Sequence, residues 1–306
     1  MKTMLMFAGQ GAQYEGMGLD LINAYPRLMS FVNEASDILN QDVLEMFKNS
    51  NSFKHTYETQ IMMVVTQSMM LDVLKEKGVS FEGVMGFSLG EMTALYAAGV
   101  FDFISLIRLT AARALAMQKA CDDVEGTMAA VVKVSPEDIE TVCKSYSNEQ
   151  VFMIPVNYNA PMQTVISGHQ SLLPEISDAL KALGGRVIPL RVAGPFHTSL
   201  MRTYTDIYDE VLSQTKFKSP EKEFISNVTG EKVDNQFHHM MLKQMVSPVL
   251  FTTMIKHLDY ADYDQAIEIG PGNVLTGLLS KQNSRIKLLT IKDATSLEEI
   301  YDFTER

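Results

Sequence analysis

Tryptophan is absent from the 306-residue chain, and cysteine occurs only twice, at Cys121 and Cys143. Two cysteines so far apart, with no Cys-x-x-Cys, exclude a disulfide framework and a structural zinc site, and a reducing cytoplasm is the expected compartment. There is no His-x3-His pair and no acidic calcium loop, so neither a metal nor a permanently bound cofactor is expected. Positive charge is scarce: 26 Lys and Arg against 37 Asp and Glu leave a formal net charge of −11. That balance argues against nucleic acid or an anionic membrane as partner, and any anionic substrate needs a local basic group working against the overall field. Long apolar runs are missing too. The stretch from Met1 to Phe7 stops at Gly9-Gln10-Gly11, too short for the core of a secretory signal, and nothing later approaches membrane length.

Apolar residues make up 46 % of the chain, enough for a sizeable core in one large domain or two unequal ones. Methionine is abundant at 21 residues and suits flexible core filling. Strands are expected at Met4–Phe7, Phe81–Met85, Phe224–Asn227, Ala266–Ile269 and Ile286–Ile291. Helices are expected over Asp20–Leu39, Thr59–Lys77, Leu89–Ala98, Asp102–Ala120, Ser199–Gln214, Gln236–Met245 and Phe251–Leu258, with a last one opening at Ser296. Strands alternating with helices point to a parallel α/β sheet. Between residues 126 and 192 the rhythm changes to βαββαβ, the order of a ferredoxin-like unit. We read this as a small domain inserted into a discontinuous core of residues 1–125 and 193–306.

The chemistry centres on Gly86-Phe87-Ser88-Leu89-Gly90. A nucleophilic serine must stand proud of the backbone, and a sharp strand-to-helix turn achieves this while crowding the residues two before and two after; glycine at both positions removes the crowding. The Leu89 amide then points back toward the serine oxygen at the start of a helix. The loop Ala8-Gly9-Gln10-Gly11-Ala12-Gln13 follows the first strand. It lacks the Gly-Lys-Ser/Thr ending of a phosphate loop, and Gln10 between two glycines can present a donor to a neighbouring site.

A serine nucleophile needs a base. His55, His169, His238, His239 and His257 fall in polar loops, turns or helix faces, where surface roles are usual. His197 lies in the stiff Gly-Pro-Phe-His-Thr loop at a domain boundary, where clefts form. No third triad member declares itself, since Asp206 and Asp209 fall on the following helix; a backbone carbonyl can orient the imidazole instead. Arginine is the natural partner of a carboxylate. Arg113 has Leu109 and Met117 four residues to either side and either snorkels or holds an anion, but Arg108 has an equally apolar setting, and periodicity does not choose between them.

Five motifs stand together in one order: Phe7-Ala8-Gly9-Gln10-Gly11-Ala12-Gln13, Gly86-Phe87-Ser88-Leu89-Gly90-Glu91, Arg113-x-x-x-Met117-Gln118, Asn157-Tyr158-Asn159-Ala160-Pro161 and Ile269-Gly270-Pro271-Gly272. In this combination, with Phe196-His197 between the last two, the chain resembles malonyl-CoA:acyl-carrier-protein transacylases over essentially its whole length. The resemblance implies an α/β-hydrolase-like core with a ferredoxin-like insertion. It implies transfer of malonyl from coenzyme A to the pantetheine thiol of acyl carrier protein through a seryl ester, with ping-pong kinetics, in fatty-acid synthesis. A free-standing acyltransferase that loads a polyketide synthase, or a serine hydrolase that clears acyl carriers, is the alternative. By the same resemblance Ser88 is the nucleophile and His197 the base. The amides of Leu89 and Gln10 form the oxyanion hole, Arg113 beside Met117 clamps the malonyl carboxylate, and Asn157 and Asn159 lie near the pantetheine arm. Phe196 walls off a methyl branch, and the Leu250 carbonyl orients His197. Phe87, Ala8 and Leu250 depart from the family pattern, which has histidine, proline and often glutamine there. A monomer is expected, and an acidic chain docking an acidic carrier implies a local basic patch, with Arg186, Arg191, Arg202 and Lys281 as candidates.

Overall fold

The computed structural model describes residues 1–190, 194–282 and 285–304. It opens with a fully buried strand, β1 (Thr3–Phe7). The single helix expected from Asp20 to Leu39 is broken: α1 (Leu19–Ala24) gives way to one 3-10 turn at Pro26–Leu28 before α2 (Met29–Leu39). Pro26 has no N–H to continue the ladder and its ring crowds the preceding turn. A helix that periodicity missed, α3 (Val43–Lys48), is capped by Asp42, whose carboxylate accepts from the Glu45 N–H. Six residues are too few to display a period.

Next come α4 (Thr56–Glu76), buried almost all round, then β2 (Gly83–Gly86), α5 (Gly90–Ala97) and α6 (Phe103–Asp123). As expected, Asp102 caps α6 by accepting from Ser105 N–H. The smaller unit follows: β3 (Gly126–Val132), α7 (Pro136–Tyr146) with Ser135 as its cap, β4 (Met153–Ala160), β5 (Gln163–His169), α8 (Leu173–Ala182) and β6 (Arg186–Pro189). The expected continuation of β6 to Val192 falls partly on residues 191–193, outside the described residues.

The chain returns through a 3-10 turn (Ser199–Tyr204) into α9 (Thr205–Gln214), a tighter start than the single helix expected there. It closes with β7 (Glu223–Ile225), α10 (Phe237–Met245), α11 (Phe251–Tyr260), β8 (Gln265–Ile269), α12 (Val274–Leu279), β9 (Lys287–Ile291) and α13 (Ala294–Thr304). That last helix starts before Ser296: the Asp293 carboxylate accepts from Ser296 N–H and caps it.

Two sheets result. The large one is parallel, in the order β7-β2-β1-β8-β9; the small one is antiparallel, in the order β4-β5-β3-β6. Along β1, Leu5 and Phe7 join one hydrophobic cluster while Met4 and Met6 join another, so helices bury both faces of the large sheet. Register places the site. Phe7 pairs with both Gly86 and Ile269, so the loops after β1, β2 and β8 leave the same carboxyl edge, where ligands bind in open α/β sheets. The small sheet is stitched to this core: Tyr158 N–H donates to Val249 O at 3.0 Å, and Val249 N–H donates to Val156 O at 2.8 Å.

Candidate active site

Ser88 occupies the turn between β2 and α5 with φ 49°, a left-handed backbone rare for a residue with a side chain. The flanking glycines are required by space. A Cβ on Gly86 would lie 2.0 Å from the Gly90 carbonyl carbon, and one on Gly90 would lie 2.0 Å from Phe7 O. Ser88 Oγ is 2.7 Å from His197 Nε2. The His197 side chain is buried, its backbone is left-handed at φ 62°, and its Nδ1 faces two carbonyls, Gln244 O at 2.9 Å and Ser247 O at 3.2 Å. Two acceptors at Nδ1 require the ring proton there, which leaves the Nε2 lone pair to accept from the serine hydroxyl.

The expected orienting carbonyl, that of Leu250, is engaged elsewhere. It accepts from Thr253 and Met254 N–H as α11 begins, and the segment before Pro248 turns the Gln244 and Ser247 carbonyls to the imidazole instead. Burial, reinforced by the charge on Arg113, pushes His197 down to about 4, and the two carbonyls offset only part of this. The imidazole is therefore neutral around pH 7, the form a general base needs.

Arg113, on α6, does not snorkel: it is 1 % exposed, whereas Arg108 is exposed. Its Nη1 donates to Gln60 Oε1 at 2.7 Å and contacts Met117 Sδ at 3.1 Å, while Nη2 donates to Ser88 Oγ and to Gln244 Oε1, both at 3.1 Å. Among the described residues no carboxylate is ion-paired with it, and its Nε has no hydrogen-bond partner. An unpaired buried charge is costly, so this arrangement suits an incoming anion beside Ser88.

The backbone N–H groups of Leu89 and Gln10 have no acceptor among the described residues. The Gln10 loop is held from below by Gln67, whose amide donates to Ala8 O at 2.7 Å and accepts from Thr93 Oγ1 at 2.6 Å. Asn157 and Asn159 are buried on β4; Asn159 Oδ1 has no partner among the described residues, and neither side chain bonds Ser88, His197 or Arg113. Phe196 is buried beside Gly194, where an added Cβ would meet its ring at 2.4 Å. Phe87, half-buried, packs edge-on against Phe251 with ring centres 5.5 Å apart, so its ring turns to the hydrophobic cluster that holds Met4 and Met6. Three other histidines are engaged elsewhere: His238 pairs with Asp209, His257 with Glu223, and His169 Nδ1 lies against the Phe152 backbone.

Three residues that sequence reasoning missed complete the site. Gln60 holds Arg113. Gln244 serves three partners, accepting from Arg113, donating from Nε2 to Ser88 O at 2.8 Å and offering its own carbonyl to His197. Asn227 accepts from Ser88 N–H at 2.7 Å. One signal was available for the first: Gln60 and Gln67 bracket the apolar run Ile61–Val65, and an amide placed beside such a run must hydrogen-bond internally. Asn227 and Gln244 carry no comparable mark.

A half-buried serine against a buried histidine on the carboxyl edge of a parallel sheet, with a buried arginine beside the serine, has the arrangement of a serine acyl-transfer or acyl-hydrolysis centre. The sequence profile of the acyl transferase domain family matches residues 4–298, and the chain belongs to that family. It is 35 % identical over 309 aligned residues to the malonyl CoA-acyl carrier protein transacylase of Staphylococcus aureus, with 99 % of each chain covered. The crystal structure of malonyl CoA-acyl carrier protein transacylase from Clostridium perfringens superposes with a TM-score of 0.93 at 31 % identity, covering 100 % of this chain and 98 % of that one. A malonyl-transacylase solved in complex with its type II polyketide-synthase acyl-carrier protein gives the same TM-score and identity, covering 99 % of this chain and all of that one.

Proposed function

We propose that this acyltransferase moves malonyl from malonyl-CoA to the pantetheine thiol of acyl carrier protein through an ester on Ser88. The observation that carries the reading is the buried Arg113 guanidinium, 3.1 Å from the nucleophile and without a carboxylate partner among the described residues. An acyl group ending in a carboxylate supplies that partner, while a simple acyl chain leaves the charge uncompensated.

In the first half-reaction Ser88 Oγ attacks the thioester carbonyl as His197 Nε2 takes its proton. The Leu89 and Gln10 N–H groups receive the oxyanion, and each such donor is typically worth roughly 100- to 1,000-fold in rate. The carbon–sulfur bond breaks and His197 returns the proton to the coenzyme A thiolate. The carrier thiol then gives its proton to His197 and attacks the ester, and Ser88 leaves and is reprotonated. Asn157 and Asn159 line the path of the pantetheine arm, and Phe196 walls the acyl pocket against a methyl branch. The carbonyls of Gln244 and Ser247 hold the imidazole.

The reading includes an α/β-hydrolase-like core of residues 1–125 and 193–306 and a ferredoxin-like unit of residues 126–192; the βαββαβ order and the β4-β5-β3-β6 sheet support the latter. It includes a monomer, because one chain supplies every group named. It places the protein in the cytoplasm, a setting that suits two free cysteines and a chain in which, among the described residues, no helix is long and apolar enough to cross a membrane. The carrier docks beside the exposed Arg186, Arg202 and Lys281; Arg191, the fourth candidate, lies outside the described residues. Fatty-acid synthesis is the pathway favoured by the transacylase relatives, and a polyketide carrier is the second reading, favoured by the solved complex.

Intact mass decides. Malonyl-CoA leaves a malonyl adduct on the wild type and none on Ser88→Ala, and added carrier protein removes it by becoming malonylated. An adduct lost to water and never to carrier overturns transfer in favour of hydrolysis.

A further inference from the structure

We propose that Asn227 is a positioning residue for the nucleophile turn, anchored by the buried carboxyl of Glu91; this rests on the reading of Ser88 as the acylated residue. The left-handed backbone of Ser88 persists only if its surroundings hold it. The Asn227 side chain does so from a segment 139 residues further along the chain. Its Oδ1 accepts from Ser88 N–H at 2.7 Å and its Nδ2 donates to Gly86 O at 2.5 Å, so one planar amide spans the turn on both sides of Phe87.

Asn227 is in turn fixed by its own backbone. Its N–H donates to Glu91 Oε2 at 2.7 Å, and its carbonyl accepts from Leu250 N–H at 2.9 Å. Glu91 belongs to the first turn of α5, the helix that Ser88 leads into, and is 2 % exposed; Asn227 is 0 % exposed. The contacts close a ring: Gly86 and Ser88 to the Asn227 amide, Asn227 N–H to Glu91, and Glu91 back along the helix to Ser88. On the far side of Ser88, Gln244 Nε2 donates to Ser88 O. The two peptide planes flanking Ser88 are thus each pinned by a side-chain amide, and the second of them carries the Leu89 N–H. Neither Asn227 nor Glu91 touches a bound acyl chain in the reading above. Loss of Asn227 therefore lets the turn relax, which misdirects Ser88 Oγ and the Leu89 donor together while Arg113 keeps its place.

The test separates binding from chemistry. The rate of malonyl-adduct formation at saturating malonyl-CoA is read in single turnovers by quenched-flow mass spectrometry. Affinity for malonyl-CoA is read by calorimetry in a Ser88→Ala background, and Tm is recorded for each variant. Asn227→Ala is expected to slow adduct formation roughly 100-fold or more, the scale of a misplaced oxyanion donor, with affinity within threefold of wild type. Glu91→Gln, which keeps an acceptor for Asn227 N–H, is expected to stay within fivefold; Glu91→Leu, which removes it, is expected to lose at least tenfold. This pair decides the matter even if Asn227→Ala does not fold. Rates within threefold of wild type for Asn227→Ala, affinity falling in step with rate, or equal rates for the two Glu91 variants would each overturn the positioning role. A wild type that forms no malonyl adduct overturns the reading of Ser88, and this inference with it.

Discussion

Replacing Arg113 by alanine tests the substrate assignment most directly, because the two halves of its effect have different sizes. The guanidinium is fully buried and has one unpartnered nitrogen, Nε, with Nη2 only 3.1 Å from Ser88 Oγ. A malonyl carboxylate docking there gains charge-assisted hydrogen bonds worth about 1.5–3 kcal/mol each. Two of them make roughly 3 kcal/mol a low estimate, which is about 100-fold in kcat/KM. Acetyl-CoA brings no carboxylate. For it the substitution removes the contact from Nη2 to Ser88 Oγ, worth about 1 kcal/mol or about fivefold, and it also relieves the site of an uncompensated charge; the bonds to Gln60 and Gln244 are lost alike for both substrates and cancel in the comparison. Arg113→Ala should therefore cut malonyl loading at least 100-fold while changing acetyl loading fivefold or less in either direction, so that malonyl-over-acetyl selectivity falls by at least twentyfold. Both substrates are assayed by the initial rate of adduct formation under identical conditions. An equal loss for the two would mean that Arg113 acts only through Gln60, Gln244 and Ser88, as part of the scaffold, and the carboxylate clamp would be refuted.

Four further outcomes follow from the same geometry. Because His197 is pushed down to about 4, the neutral base is present above that value; kcat/KM for malonyl loading should hold steady as pH falls through 6.5 and decline only toward 4, and an inflection near 6.5 in a pH-rate profile would contradict this. Burial raises Glu91 to about 8, so its contribution to stability is fully present below about 4.5 and is lost as pH rises toward 8; urea denaturation should show Glu91→Gln gaining on wild type between pH 5 and pH 8, and a constant difference would refute the buried neutral acid. Gly90→Ala places a Cβ against Phe7 O and should cost about 3 kcal/mol or more, seen as a lowered Tm, whereas a wild-type Tm would show that the turn can relax. Charge reversal at Arg186, Arg202 and Lys281 together should raise the KM for carrier protein and leave malonyl loading unchanged; an unaltered KM would remove that surface as the docking patch.

The parts of this site that could be read in the sequence are those where backbone geometry restricts residue choice. Gly86 and Gly90 are dictated by contacts of 2.0 Å that no side chain tolerates, and Ser88, the proposed nucleophile, stands between them. The caps at Asp102 and Ser135 were equally plain, because an unsatisfied helix N-terminus needs a short polar side chain. Arg113 and Arg108 illustrate the opposite case. Both sit among apolar neighbours on one helix, yet one is sealed against Ser88 and the other reaches solvent, a difference set by what α6 packs against. Asn227 and Gln244 were invisible for the same reason: each meets Ser88 from more than a hundred residues away, and no local pattern records a contact made that far along the chain. The Leu250 expectation failed by only a few residues. A main-chain acceptor leaves no side-chain signature, and the turn before Pro248 decides which carbonyl faces the imidazole.

The two hydrogen bonds that join Tyr158 and Val156 to Val249 carry a lesson for protein engineers. The small antiparallel sheet invites treatment as a module to be exchanged between relatives. Yet its edge strand is laced to the same few residues whose carbonyls hold His197, since Val249 lies two positions past Ser247. A chimera cut only at the ends of this sheet, Gly126 and Pro189, keeps the host's 244–250 segment against a foreign strand, and any mismatch there is passed to the imidazole. Exchanges that carry this segment along with the module should retain turnover where simple swaps lose it.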